Sequence, residues 1–201
     1  MKRNLFFAPV LFIFLFSCAL RSNKYEQNAV DCWGKGWLPQ SDPSGKMFQQ
    51  GINALDNYLI LKGYLGNGMP ADYMNFVNDT QQIVIPENIP DYKIMQLACY
   101  GDYAGAPNVM VMANCIHDNV IAHMSELDSA DALFRFGSLF EAMATAGAPD
   151  NTGFKEFYAK LTKKEFNRPL LKTMFYFLFS AGTNGNRKIS FGKRTENIQF
   201  K

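Results

Sequence analysis

Apolar residues recur at steps of three and four along most of the chain, the period of an α-helix with one buried face. The clearest stripe is formed by Phe48, Ile52, Leu55 and Leu59. Asp42 followed by Pro43 is a good N-cap and first-turn pair, and glycine commonly ends a helix. We therefore predict a first helix between Asp42 and Gly63.

The same period predicts six further helices, at approximately 70–79, 91–101, 107–124, 129–147, 154–161 and 169–181. Ser129 is the predicted N-cap of the fourth of these. The last one runs from Pro169 to Ala181, and its segment 174–179 is apolar on nearly every face. A helix of this length is too short to span a bilayer, so we expect it to form the buried centre of the domain.

Two short stretches have a different pattern. Ile83-Val84-Ile85 is apolar and β-branched, and Pro86 and Pro90 keep it from growing. After residue 186, apolar residues alternate weakly with polar ones, which is typical of a small β-hairpin or of a mobile tail. The predicted fold class is therefore all-α with a small C-terminal β-hairpin.

Turn motifs repeat along the chain. Gly105-Ala106-Pro107 recurs as Gly147-Ala148-Pro149, and each triplet lies between two predicted helices. The segment 97–107 resembles the turn between the paired helices of HEAT-type repeats, which implies antiparallel helical hairpins stacked as an α-solenoid over about 44–182. Turns use glycine and proline in most proteins, so an irregular helical bundle is the alternative.

The start of the chain has the pattern of an export signal. Lys2 and Arg3 precede an apolar run from Leu5 to Phe16 that only Pro9 interrupts. As a helix this run would be roughly 18 Å long, whereas the hydrocarbon core of a bilayer is about 30 Å thick. We therefore predict a cleaved signal rather than a permanent membrane span.

The run ends in Leu15-Phe16-Ser17-Cys18, which resembles the lipobox of bacterial lipoproteins. In that family the cysteine is diacylated and becomes the first residue after cleavage. The resemblance implies a signal peptide at 1–17, attachment of acyl chains such as palmitate to Cys18, and a membrane-anchored protein of the bacterial cell envelope that faces the periplasm or the cell exterior. Secretion with cleavage after Ala19 and an uncleaved anchor are the alternatives.

The rest of the chain divides by composition. Residues 19–31 are polar and lack periodicity, whereas Trp33 and Trp37 suggest that the chain begins to pack. We therefore predict a lipidated tether and docking segment at 18–41, a helical domain at 42–183 and a basic tail at 184–201. The tail holds five basic residues and one acid, and we expect it to be a solvated, positively charged end.

Composition and charge narrow the class of protein. Hydrophobic residues make up 48% and charged residues 19%, which is typical of a globular protein with a large core. Without Lys2 and Arg3 the chain has 18 basic and 18 acidic residues. A neutral chain lacks the positive potential that binding to phosphates requires, so we exclude a nucleic-acid partner.

Three cysteines remain if Cys18 is acylated: Cys32, Cys99 and Cys115. An exported chain meets an oxidising compartment, so we expect one disulfide and one remaining thiol. Cys99 ends one predicted helix and Cys115 lies in the next, so we favour a Cys99–Cys115 disulfide. In the alternative, Cys32 attaches its own segment to the helical body.

Candidate catalytic residues form no recognised pattern. His117 and His123 are six residues apart on one predicted helix and would point to different faces, whereas metal ligands on a helix are spaced by three or four. Glu126, Asp128 and Asp131 cluster at a predicted helix start, where capping explains them. We assign no catalytic, cofactor-binding or metal-binding residue from the sequence.

These features predict a lipid-anchored helical protein that binds another protein, either as an assembly accessory or as an immunity-type protein. We expect contact with the membrane through the lipid anchor alone and no cofactor. The alternatives are an envelope enzyme whose site is built across several helices and a binder of small hydrophobic ligands, for which the chain has 18 phenylalanines and 10 methionines.

Overall fold

The structure is a computed structural model of the 201-residue chain, and it describes residues 7–101, 109–146, 151–180 and 188–192. Its α-helices are α1 (Phe7–Trp37), α2 (Lys46–Leu61), α3 (Pro70–Asn78), α4 (Tyr92–Tyr100), α5 (Val109–Asn119), α6 (Ala132–Ala146), α7 (Asn151–Ala159), α8 (Lys163–Phe166) and α9 (Pro169–Phe175). A 3₁₀ turn follows α5 at Ile121–Glu126, and a π-helical turn follows α9 at Tyr176–Ser180. Two short strands complete the fold, β1 (Ile83–Ile85) and β2 (Ile189–Phe191). The fold is all-α, as predicted.

Helix α2 forms where its apolar stripe predicts it, and all four residues of that stripe are buried. Its start differs from the prediction. Gly45 holds the N-cap position with φ 76°, while Asp42 accepts hydrogen bonds from the backbone N–H groups of Met47 and Phe48. Asp42 therefore caps the helix from the preceding loop. Gly63, with φ 77°, follows its end as predicted.

Helix α1 corrects the prediction of a tether at 19–31. Tyr25, Ala29 and Val30 lie on one face of the helix and are buried, in line with Trp33 and Trp37. The stripe is hard to see in the sequence because its first apolar members are few and the polar Ser22 and Glu26 are buried beside them. The segment is therefore part of the folded body. Among the described residues, no helix combines enough length with enough apolar character to cross a bilayer.

The helices pack as an irregular bundle. Helix α1 contacts α2, α5 and α9, α2 contacts α4, and α3 contacts α7. In a repeat stack each hairpin contacts mainly its neighbours, whereas within the predicted range 44–182 helix α2 contacts α9 and α3 contacts α7. The second of the two predicted architectures therefore describes this packing. The Gly-Ala-Pro triplets at 105–107 and 147–149 lie outside the described residues.

The single disulfide within the described ranges joins Cys32 to Cys115, with their Cα atoms 5.6 Å apart. The preferred Cys99–Cys115 pairing is therefore wrong. Helix α4, which carries Cys99, packs against α2, whereas α1 and α5 lie side by side and bring Cys32 to Cys115. Cys99 is a buried thiol. The disulfide ties the first helix of the chain to the middle of the bundle.

Helix α9 is the centre of the core, as predicted. Every side chain from Leu170 to Tyr176 is buried. The ring of Phe175 lies 5.2 Å from that of Tyr73, 5.3 Å from that of Phe166 and 5.5 Å from that of Tyr158, measured between centroids. Aromatic side chains from α3, α7 and α8 therefore converge on this helix. The predicted end at Ala181 lies outside the described residues.

The described strands form a two-stranded parallel sheet, with Ile83, Val84 and Ile85 opposite Ile189, Ser190 and Phe191. Lys188 precedes β2 and is buried, donating hydrogen bonds from Nζ to the carbonyl oxygens of Phe76 and Asp79. These carbonyls lie at the end of α3, where a cation stabilises a helix. The prediction of a solvated tail is therefore wrong for Lys188. The second predicted alternation, at 198–200, lies outside the described residues.

Candidate functional site

A carboxylate lies in the core, at Asp56 on α2, and three side chains contact it. Its Oδ1 accepts hydrogen bonds from the hydroxyl groups of Tyr73, at 2.5 Å, and Tyr176, at 2.7 Å. Its Oδ2 accepts a hydrogen bond from Lys172 Nζ at 2.8 Å. All four side chains are buried, and Asp56 is 4% exposed. We call these four residues the Asp56 cluster.

Electrostatics keeps the two tyrosines of the Asp56 cluster protonated. Burial, together with the nearby Asp56 carboxylate, raises the pKa of Tyr73 and of Tyr176 above the ordinary tyrosine value. Both hydroxyls therefore remain donors at neutral pH. Since Lys172 balances the carboxylate charge, the charges and hydroxyl groups of the cluster have partners inside it. The cluster joins α2, α3 and α9 and offers no group to a ligand.

A second polar network surrounds Arg168, at the start of α9. Its Nε contacts Glu26 Oε2 at 2.8 Å, its Nη1 contacts Asp131 Oδ1 at 2.6 Å, and its Nη2 contacts Ser22 Oγ at 2.5 Å. Glu26 Oε1 also accepts the backbone N–H of Leu170 at 2.9 Å. Burial raises the pKa of Glu26, although Arg168 opposes the shift. The network fixes α1 and α6 to the first turn of α9.

The two histidines are not brought together. The ring of His117 is exposed and its Nδ1 lies 3.0 Å from Asp118 Oδ1. The predicted common helix ends at Asn119, and His123 lies in the 3₁₀ turn that follows. There His123 stacks on Tyr25, with the ring centroids 4.3 Å apart.

Capping explains two of the three clustered acids. Asp128 Oδ1 accepts the N–H of Ala130, and Asp131 Oδ1 accepts the N–H of Leu133 at the start of α6. Asp131 therefore caps this helix in place of the predicted Ser129. Glu126 instead accepts a hydrogen bond from the Tyr25 hydroxyl at 2.6 Å. Across the described residues, no three acidic, histidine or cysteine side chains are placed to hold a metal ion.

A narrow gap lies in the core beside the buried thiol of Cys99. Trp33, Trp37 and Tyr176 also line it, and the two indole N–H groups have no acceptor among the described residues. Its volume is about 10 Å³. A space of this size holds about one water molecule, so it is too small for an organic ligand.

An open cleft lies over the exposed face of β1, with a volume of about 520 Å³. We call it the β1 cleft, and its lining residues are Tyr64, Gln81, Gln82, Val84, Pro86, Glu87, Asn88 and Gly192. Side chains of a strand alternate between its two faces. Ile83 and Ile85 therefore point into the core, where they are buried, while Gln82, Val84 and Pro86 face the cleft.

The outer edge of β1 has no partner among the described residues. The N–H of Ile83 donates to Lys188 at 2.8 Å, and the carbonyl of Ile85 accepts from Gly192 at 3.2 Å. In a parallel ladder, alternate residues of a strand point their backbone groups toward the same neighbour. Since Ile83 and Ile85 bond to β2, the N–H and C=O of Val84 point away from it, and no third strand of the described ranges lies there.

The side chains around the β1 cleft are polar and mostly uncharged. Gln81, Gln82 and Asn88 supply amide groups, and Glu87 is the one charged residue in the lining. Glu87 forms no ion pair with any described basic residue. The cleft therefore combines an acidic group and several amides with a strand edge that no described residue pairs.

Another open cleft, of about 360 Å³, lies between α5 and α6. Ala113, Ile121 and Phe140 supply apolar surface, and His117 and Glu141 lie among them. The backbone groups of these helices are already bonded within each helix. This cleft therefore offers side chains alone, whereas the β1 cleft also offers backbone donors and acceptors.

Comparison with protein families, with curated proteins and with solved structures finds no match to this chain.

The β1 cleft is not predicted by the sequence, because Ile83-Val84-Ile85 by itself indicates only a short extended element. The pattern itself contained the signal, since a β-branched triplet between polar residues and a proline is typical of an edge strand. The local pattern does not identify the partner strand, because that strand lies more than 100 residues further along the chain.

Proposed function

We propose that this chain is a lipid-anchored protein of a bacterial envelope that binds another protein through the β1 cleft. The carrying observation is that Val84, which lines a cleft of about 520 Å³, has an N–H and a C=O with no partner among the described residues. Backbone groups left unpaired at a surface are a ready attachment point for another chain. The polar groups of the Asp56 cluster, by contrast, are satisfied internally.

Cys18 is the proposed site of the lipid anchor. Ser22 is the first side chain of α1 described as buried, and it follows Cys18 by four residues. Four residues of helix rise about 6 Å. A body attached to acyl chains at Cys18 would therefore lie close to the membrane surface rather than on a long tether. The β1 cleft would then meet partners near that surface.

Metabolic labelling with a fatty-acid analogue tests the anchor. We expect label on the native chain and none on Cys18→Ser, because serine offers no thiol for acylation. Equal labelling of both chains would remove the lipid anchor from the proposal and leave the cleft unaffected.

Photo-crosslinking in intact envelopes tests the binding role. A photoreactive residue in place of Gln82, inside the cleft, should give one discrete adduct with another protein. The matched control is the same residue in place of Lys160, which is exposed and lines no cleft described above. The absence of an adduct at position 82, or the same adducts from both positions, would contradict the proposal.

A further inference from the structure

We infer that the partner binds to the open edge of β1 as an extended peptide strand and places a basic side chain against Glu87. This inference rests on the proposed function and adds the conformation and the charge of the bound segment. Three features of the β1 cleft support it: the direction of the backbone groups, the alternation of the lining side chains and the charge of Glu87.

The backbone groups of Val84 determine the conformation of the occupant. The N–H and the C=O of Val84 are both paired when another strand lies alongside β1, as in peptide binding by strand addition. A helix cannot pair them in this way, because its own N–H and C=O groups are bonded within the helix. An extended segment is therefore the occupant that satisfies this edge.

The lining side chains match a strand in the same way. Gln82, Val84 and Pro86 are at alternate positions, so they repeat along the cleft at about 7 Å, the two-residue repeat of a strand. An added strand presents its own side chains with the same repeat. Alternate residues of the peptide can then lie against the amide of Gln82 and the apolar surface of Val84.

Glu87 determines the charge of the occupant. It is exposed, lines the cleft and has no basic partner among the described residues. A lysine or arginine on the peptide would supply Glu87 with a basic partner. Electrostatic complementarity of this kind selects partners at interfaces. An acidic peptide would be repelled at the same place.

The edge limits the length of the added strand. Proline lacks an N–H, so Pro86 ends the run of donors that Val84 begins. Short edges that end in proline are also how proteins avoid open-ended sheet growth. We therefore expect a short basic segment of a different protein rather than a polymer of this chain.

To test the inference, peptides that bind the full mature chain in detergent are selected from a displayed library of random twelve-residue peptides. We expect the enriched peptides to alternate apolar and polar residues and to share a lysine or arginine. A synthetic copy should slow hydrogen exchange at the Val84 amide. Glu87→Lys should weaken its binding by at least about tenfold, because two like charges would then meet. The matched control Glu156→Lys, at an exposed position of α7, should leave the Kd within about twofold.

Val84→Pro tests the edge itself. It removes the outward N–H, while the ladder to β2 uses the groups of Ile83 and Ile85. We expect this variant to lose at least about tenfold in peptide affinity, with exchange at Ile83 and Ile85 still slow. If it does not fold, exchange at Val84 and the Glu87→Lys comparison decide the question.

Enrichment of amphipathic helical peptides, unchanged exchange at Val84 on binding, or failure to enrich any peptide would overturn the inference. An adduct from position 82 in the envelope together with any of these results would retain the proposed function and reject strand addition. The absence of the adduct would reject the function itself.

Discussion

The Asp56 cluster and the β1 cleft are both polar, but their polar groups are used differently. In the cluster, one carboxylate, one ammonium and two hydroxyls are buried and bonded to one another. In the cleft, the N–H and C=O of Val84 and the carboxylate of Glu87 have no partner among the described residues. Since groups paired inside the fold stabilise it, changes in the cluster should affect folding. Changes in the cleft should affect binding.

The largest expected effect is that of Asp56→Ala. It leaves Lys172 charged and buried without a counter-ion, and it leaves two tyrosine hydroxyls without their acceptor. Breaking a buried ion pair in this way costs about 3–5 kcal/mol. Urea unfolding should show this loss, while the exposed control Asp118→Ala should change the free energy of unfolding by no more than about 0.5 kcal/mol. Similar values for the two variants would show that the cluster is not structural.

The disulfide should have the next largest effect. Cys32 and Cys115 are 83 residues apart, so their bond restricts the unfolded chain strongly. Loss of a native disulfide typically costs about 2–5 kcal/mol. We expect the double variant Cys32→Ser, Cys115→Ser to unfold at lower urea than the oxidised native chain, and to match the native chain once a reductant is present. A variant as stable as the oxidised chain would contradict the bond.

Asp42 should have a smaller effect that depends on pH. Burial alone would raise the pKa of Asp42, but hydrogen bonds from Ser44, Met47 and Phe48 together lower it below the ordinary value of 3.8. Its contribution to stability is therefore present above that value and is lost as the pH falls through the folded pKa. Asp42→Ala should cost about 0.5–2 kcal/mol at neutral pH and progressively less in acid. A cost that is independent of pH would contradict this assignment.

The smallest effect on stability should come from the cleft. Glu87→Lys changes an exposed side chain that has no described ion-pair partner, so it should alter the free energy of unfolding by no more than about 0.5 kcal/mol. The same substitution should weaken peptide binding. A large decrease in the free energy of unfolding would show that Glu87 stabilises the fold. The cleft and the Asp56 cluster would then not differ in the way described here.

The sequence predicts local features well in this molecule. The stripe of α2, the apolar run of α9 and the glycine that follows α2 depend on residues within a few turns of one another, and the structure confirms them. The all-α class follows from such features, because each predicted helix has its own buried face.

Long-range features could not be predicted in this way. Asp56 pairs with Lys172, which is 116 residues away, and Cys32 pairs with Cys115. Neither residue carries a local sign of its partner, because the pairing depends on which helices pack together. The same holds for β1, whose partner strand follows the buried Lys188. The tether at 19–31 was mispredicted for a related reason, since Glu26 is buried only because Arg168 meets it.

The amide proton of Val84 provides the most direct test of the central claim, and the isolated chain is sufficient to measure it. The open edge predicts that this amide exchanges rapidly with solvent, while the amides of Ile83 and Ile85 on either side, which bond to β2, exchange slowly. Hydrogen exchange followed by NMR resolves the three neighbours. Slow exchange at Val84 in the unbound protein, equal to that of Ile83 and Ile85, would show that the edge is already occupied and would contradict the account.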